Sequence, residues 1–177
     1  GLKKKYQNNK NVYLNNFALG EKKEIKEINI TALSQNSSFN KINLGTKWLK
    51  TRSKQGKTTE DAYVKKIEKV NIFTLDNYVK ENNIDKIDLV KIDTQGYEDK
   101  VLEGSLETIK NNKIGIVLAE IVFDDVYSKY SNFSDIEKFL IPYDFRMVGI
   151  DLANNNLFSG LVFFADVMYF NKKKFNI

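Results

Sequence analysis

Residues 87–104 read IDLVKIDTQGYEDKVLEG. The apolar run Ile87 to Ile92 ends in the carboxylate of Asp93, a polar turn with Gly96 follows, and the next residues read as helix. A near-continuous apolar run of this length suits a strand covered by helices on both faces. A strand that stops at an acid, turns and feeds a helix presents that acid where ligands bind in open α/β sheets, beyond the carboxyl ends of the strands. The stretch therefore predicts an α/β fold with Asp93 at a crevice.

Downstream, Leu102, Leu106 and Ile109 fall at i, i+4 and i+7, predicting one helix stopped by Asn111 and Asn112. Ile114 to Ile121 reads as the next buried strand, and Ser134 with Glu137 forms a capping-box pattern before a helix that ends near Pro142. Arg146 to Ile150 and Leu161 to Phe170 read as two strands joined by the polar turn Ala153 to Ser159. They form an antiparallel edge on an otherwise parallel sheet.

Upstream, Leu2 to Gln7 reads as a helix, and Val12 to Leu19 and Glu24 to Ala32 as strands. Val70 to Phe73 is a short strand before a helix with Thr74 as its N-cap. Residues 33–66 are polar and aperiodic, a long functional loop with a short helix near Glu60 to Ile67, or a partly disordered segment. With no internal repeat and no composition break, residues 1–177 read as one domain.

The block Lys91-Ile92-Asp93-Thr94-Gln95-Gly96-Tyr97-Glu98, followed by Val101, Leu102 and Gly104, resembles the hallmark of the FkbM-type methyltransferases. Asn15 to Gly20, Ser37-Ser38, Val70 to Asp76, Ile116 to Ile121 and Gly160 to Lys172 resemble further family segments in the family's order. The resemblance implies a Rossmann-like methyltransferase sheet, mostly parallel, with its last two strands swapped at an antiparallel edge. It also implies S-adenosylmethionine as cofactor and methyl transfer to a hydroxyl of a sugar, glycan or small metabolite.

Composition narrows the alternatives. No run approaches 18 uncharged apolar residues, so no membrane span is expected, and no apolar signal segment opens the chain. There is no cysteine, which excludes disulfides and thiolate chemistry, and no histidine, which removes the usual general base near neutral pH. Proton transfer falls to Asp, Glu, Lys, Tyr or water. The net charge of +5 invites a nucleic-acid reading. The lysines are spread along the chain, however, and their abundance with Asn, Ile, Phe and Tyr fits a compositional drift, so no nucleic-acid partner is expected. The cytoplasm is the expected location, and the sequence sets no oligomeric state.

A methyltransferase of this class carries a glycine-rich loop after its first strand, where backbone approaches the cofactor closely. The nine glycines stand at positions 1, 20, 45, 56, 96, 104, 115, 149 and 160, and none form GxG. The expectation is a partial domain whose amino-terminal strands lie ahead of Gly1. Such a piece would leave Ile87 to Asp93 an unpaired edge and bind S-adenosylmethionine weakly. On its own it is expected to be inactive.

Asp93 is the leading catalytic candidate, to orient the cofactor, take the acceptor proton or, alternatively, cap the next helix. Glu120, a lone acid on the apolar strand IVLAEIV, matches the family's strand-end acid; burial there is costly unless it is paired or faces a cleft. Glu98 lies in the first helical turn, where an acid is favoured with or without a function. Asp93, Thr94, Gln95 and Gly96 are candidates for cofactor binding, and the resemblance adds Ala18 and Leu19 beside the adenine. Ser37 and Ser38 are placed on the acceptor side, Trp48 and Tyr63 are candidates for sugar stacking or simple burial, and Asp124 and Asp125 read as solvated acids. Asp93, Glu98 and Glu120 are oxygen ligands that magnesium would accept, but nothing requires a metal and none is expected. A non-catalytic binding module on the same scaffold is the rival reading.

Overall fold

The computed structural model describes residues 2–123, 125–152 and 163–175. The described elements run α1 (Leu2–Tyr6), β1 (Ala18–Leu19), β2 (Glu24–Thr31), α2 (Lys47–Gln55), β3 (Val64–Phe73), α3 (Leu75–Glu81), β4 (Ile87–Ile92), α4 (Glu98–Glu103), α5 (Leu106–Lys110), β5 (Ile114–Val122), α6 (Phe133–Leu140), β6 (Phe145–Asp151), β7 (Phe164–Asn171) and α7 (Lys172–Phe175). One sheet has the order β1-β3-β2 and the other β4-β5-β7-β6. No helix among the described residues is long and apolar enough to cross a membrane.

The swapped order of the last two strands is present, with β7 antiparallel to both β5 and β6. The mostly parallel character is not. Only β1 with β3 and β4 with β5 pair in parallel, so the fold is α/β with mixed sheets, compatible with a Rossmann-like arrangement. The polar turn expected at Ala153 to Ser159 lies outside the described residues.

β4 is not buried on both faces as its sequence suggests. Among the described residues it stands at the end of its sheet with β5 as its one neighbour, and Leu89 is 47% exposed. The expected open edge of this strand is therefore present. The most deeply buried strand is β5, where Ile114, Val117, Ala119 and Ile121 are closed off from solvent. They pack with Val167 and Tyr169 of β7, Leu102 and Ile109 of the helices after β4, and Leu140 of α6. Each large aliphatic side chain buried in this way contributes about 1.5–3 kcal/mol.

Residues 33–66, expected as a long loop or a partly disordered segment, are irregular over 37–46 and 56–63 but contain the helix α2. Thr46 accepts a bond from Leu49 N at 3.1 Å and caps α2, which sinks Trp48 and Leu49 into a second cluster with Tyr63, Val122 and Tyr127. Glu60 to Ile67 is not helix but the approach to and start of β3, which begins at Val64 and pairs with β2 as far as Ile72. The strand read at Val70 to Phe73 is its end; the first part, VKKIEK, is hidden because most of its side chains face water, leaving little hydrophobic alternation to read. Conversely, only Ala18–Leu19 of the expected strand from Val12 forms, since asparagines at 15 and 16 favour turns over a ladder.

The helix predicted through Leu102, Leu106 and Ile109 is two short helices, broken at Gly104 and Ser105. The cap of α6 lies two residues before the expected Ser134, because Asn132 and Asp135 form the reciprocal capping box. Thr74 caps α3 as expected, accepting from Asn77 N at 3.1 Å. The next residue but one has a longer reach. Asp76 Oδ1 accepts from Thr108 N at 2.8 Å and Thr108 Oγ1 at 2.6 Å, and Oδ2 accepts from Glu107 N at 3.0 Å. Ser105, the N-cap of α5, makes no side-chain cap bond, so Asp76 caps that helix from across the structure. Replacing Asp76 with alanine should cost about 2 kcal/mol in urea unfolding, as the loss of a cap with charge-assisted bonds predicts. Asp76→Asn should recover part of that, and an unchanged midpoint in the alanine variant would refute the capping role.

Candidate active site at the tip of β4

The turn after β4 is built by backbone conformations few residues tolerate. Gln95 has φ +57° and Gly96 φ +91°. A Cβ on Gly96 would come within 3.0 Å of the Lys129 carbonyl oxygen, so glycine is required there both by conformation and by space. A non-glycine residue held left-handed, as Gln95 is, carries strain that its surroundings must enforce. Ser38 Oγ donates to the Gln95 carbonyl at 2.7 Å, and Asn40 Nδ2 donates to the Gly96 carbonyl at 2.7 Å. The segment after β2 thus holds the turn from outside.

Glu98 holds it from inside. Its Oε1 accepts from Thr94 N at 2.9 Å, Thr94 Oγ1 at 3.0 Å and Gly96 N at 3.1 Å. The side chain is fully buried, and burial raises its carboxyl above the ordinary range although these donors pull the other way. Glu98 lies behind the turn and does not line the cavity in front of it. Its geometry is that of a positioning residue for Thr94 and Gly96.

That cavity, about 190 Å³, opens where β4 and β5 end, and Asn36, Arg52, Asp93, Gln95, Glu120 and Tyr127 contribute to its wall. Gln95 organises it. Its Nε2 donates to Asp93 Oδ1 at 3.0 Å and to Glu120 Oε2 at 2.6 Å, while its Oε1 accepts from the Tyr127 hydroxyl at 2.8 Å. An amide nitrogen only donates and an amide oxygen only accepts, so in this arrangement the nitrogen points to the two acids and the oxygen to the Tyr127 hydroxyl. Burial pushes the Tyr127 hydroxyl far up, keeping it a donor. The two acids thus share one amide.

Their electrostatics differ. Glu120 is 8% exposed and its carboxyl is raised to about 8, first by burial and then by the charges of Asp93, Glu98 and Asp166. Asp166 faces Glu120 directly across the β5–β7 ladder. Asp93 is more open, its side chain 43% exposed with Lys91 Nζ at 3.4 Å. Near neutral pH the cavity therefore holds a protonated acid that becomes a base at slightly alkaline pH, and a general base with a pKa near the working pH is efficient.

The sequence candidates divide accordingly. Asp93, Gln95 and Glu120 meet at the cavity, and Thr94 and Gly96 shape the turn beside it. Ala18 and Leu19 do not come to it. They belong to the other sheet, where Leu19 packs against the main core. Ser38 is spent on the turn, and Ser37 Oγ accepts from Thr31 N at 3.2 Å, so neither stands at the cavity. Trp48 and Tyr63 are 2% and 1% exposed and meet edge to face; Trp48 contributes to the cavity wall, whereas Tyr63 does not reach it. Asp125 is exposed in the loop after β5; Asp124 lies outside the described residues. Among the described residues no three acids converge as metal ligands.

Sequence reasoning missed Asn36, Arg52, Tyr127 and Asp166. Asp166 carried the same signal as Glu120, a lone acid on an apolar strand. The other three sit in irregular segments or on a short polar helix, where no pattern marks them.

Against S-adenosylmethionine this cavity fits only in part. Two acids suit a cationic group, but the volume falls below the roughly 300–1,000 Å³ of sites that enclose whole small-molecule ligands. No glycine-rich loop faces it. As described, the cavity accommodates a single ring or end group, not the whole cofactor.

A family model described as the methyltransferase FkbM domain matches residues 2–147, and the chain belongs to that family. No curated protein and no solved structure matches the chain.

Proposed function

We propose that residues 1–177 form part of a single S-adenosylmethionine-dependent O-methyltransferase domain that acts in the cytoplasm on a hydroxyl of a sugar, glycan or small metabolite. No nucleic acid or membrane is needed as partner. The observation that carries this reading is the Asp93–Gln95–Glu120 arrangement at the carboxyl ends of neighbouring parallel strands, facing a cavity. Membership of the methyltransferase FkbM domain family supports it.

When bound, S-adenosylmethionine supplies a methyl group on a cationic sulfur. The chain's own residues position and deprotonate. Glu120, once ionised, accepts the proton of the acceptor hydroxyl, and its raised carboxyl makes it a stronger base than an ordinary carboxylate. Gln95 holds Glu120 in place, and Asp93 at the rim attracts positive charge. Thr94, Gly96 and Glu98 keep the turn in the conformation that aims Gln95. Positioning of this kind lowers the barrier because the reacting atoms are held at contact before reaction.

The open edge of β4 supports the expectation that strands ahead of Gly1 complete the sheet and the cofactor groove. Accordingly, calorimetric titration of this chain with S-adenosylmethionine should show weak binding or none, and micromolar affinity would overturn the incomplete groove. Together with the residues preceding Gly1, the protein should transfer a labelled methyl group to a hydroxylated acceptor, and Asp93→Asn should cut that transfer sharply. The small cavity favours one second reading, a non-catalytic module that binds an acceptor-like ligand. A complete protein without transfer to any hydroxylated acceptor would select it.

A further inference from the structure

One cation shares the cavity wall with the acids, and its bonding is incomplete. Arg52 of α2 lines the same space as Asp93, Gln95 and Glu120. Its Nη1 donates to Gln55 Oε1 at 3.0 Å, and its guanidinium sits 5.8 Å from the centre of the Trp48 ring one turn earlier. Its Nε is buried with no hydrogen-bond partner among the described residues. A buried donor left unsatisfied carries a penalty, more so on a charged group. No ion pair joins Arg52 to Asp93 or Glu120 among the described residues; Asp93 pairs with Lys91 instead, and both acids accept from Gln95.

A guanidinium is planar and grips a two-oxygen anion in a fork, and among the described residues only Nη1 of Arg52 has a hydrogen-bond partner. A ligand that fills the cavity must therefore offer a hydroxyl or other donor toward Glu120 and an anionic oxygen group toward Arg52. With two acids in the same wall, a group of one negative charge is favoured over a doubly charged phosphate ester. A volume of about 190 Å³ limits the ligand portion to roughly one ring. We propose that Arg52 receives a carboxylate borne by the acceptor, which makes the substrate class hydroxylated acids, with a uronic-acid unit as the simplest sugar member. The proposal rests on the methyltransferase reading for its use of the hydroxyl, and on the Arg52 geometry alone for the carboxylate.

The test compares probes that differ in one group. Glucuronate, glucuronate methyl ester, glucose and glucose 6-phosphate are titrated into the full chain without cofactor and followed by ligand-observed NMR. Glucuronate should bind roughly tenfold or more tightly than glucose or the neutral ester, as a charge-assisted bidentate pair implies. It should also bind more tightly than the phosphate ester. Arg52→Gln should abolish the preference and Arg52→Lys should keep part of it. Equal binding of glucuronate and glucose, binding of none of the probes, or a preference unchanged in Arg52→Gln would each overturn the proposal, and tighter binding of the phosphate ester would overturn the choice of carboxylate. The comparison among probes needs no variant, so it decides the matter even where Arg52→Gln fails to fold. The two readings separate cleanly. Arg52-dependent glucuronate binding in a complete protein that transfers no methyl group would remove the enzyme and keep the site. Methyl transfer that ignores the carboxylate would do the reverse.

Discussion

Gly104→Ala is expected to destabilise the fold by about 3 kcal/mol or more, lowering the thermal midpoint by roughly 6–12 °C for a chain of this size. A Cβ at this position would overlap the carbonyl oxygen of Gly20, and the nearest atoms are backbone, which cannot swing aside as a flexible side chain would. The backbone at 104 is ordinary in conformation, so the cost comes from contact alone. The close approach joins the end of β1 to the break between α4 and α5. Gly20 N donates to the Phe73 carbonyl at 2.9 Å beside β1, and Gly104 O accepts from Asp76 N at 3.1 Å. An alanine would push the break between α4 and α5 away from β1, and with it Asp76, which caps α5. Differential scanning calorimetry of the variant measures this directly. A midpoint within 2 °C of the wild type, about what a loss below 1 kcal/mol would give, would show that the backbones separate freely and that the contact is not fixed.

That contact also shows where sequence reading succeeds and where it stops. The strand–acid–turn–helix of residues 87–104 was legible because its signals are local: an apolar run, a glycine, an acid in the first helical turn. The order of the last strands followed from the family resemblance. The break at Gly104 was not legible, since apolar spacing at Leu102, Leu106 and Ile109 fits an unbroken helix, and only the distant Gly20 carbonyl and Asp76 carboxylate decide otherwise. The polar first part of β3, ahead of the strand read at Val70 to Phe73, escaped notice for a related reason: hydrophobic period reports burial, and these residues are stabilised by their ladder with β2 rather than by a buried face. At the site, Asp93 and Glu120 stood out as acids in apolar surroundings. Their link through Gln95 depends on a left-handed backbone and on Tyr127, 32 residues further along the chain, and no pattern of spacing carries that information.

Glu120→Gln is expected to have the largest functional effect and an opposite effect on stability at high pH. The folded-state carboxyl titrates at about 8 against an ordinary 4.5, so the folded protein holds this proton more tightly than the unfolded chain does. Its stabilising contribution is then fully present below about pH 4.5 and is lost as the pH rises through about 8. A shift of that size corresponds to roughly 4–5 kcal/mol at most. The glutamine variant carries no such proton, and its side-chain oxygen can still accept from Gln95 Nε2. Its unfolding free energy should therefore change less between pH 5 and pH 9 than that of the wild type, and exceed it at the alkaline end. In a complete, active protein the same substitution should lower methyl transfer by about 10²–10⁴-fold, the usual worth of a general base. It should also erase the rise in wild-type rate through about pH 8. Melting curves across the pH range and a pH–rate profile test the two halves separately. Parallel stability profiles for the two proteins would show that Glu120 is not held protonated. A retained alkaline rise in the variant's rate would transfer the base role to another group, with Asp93 next in line.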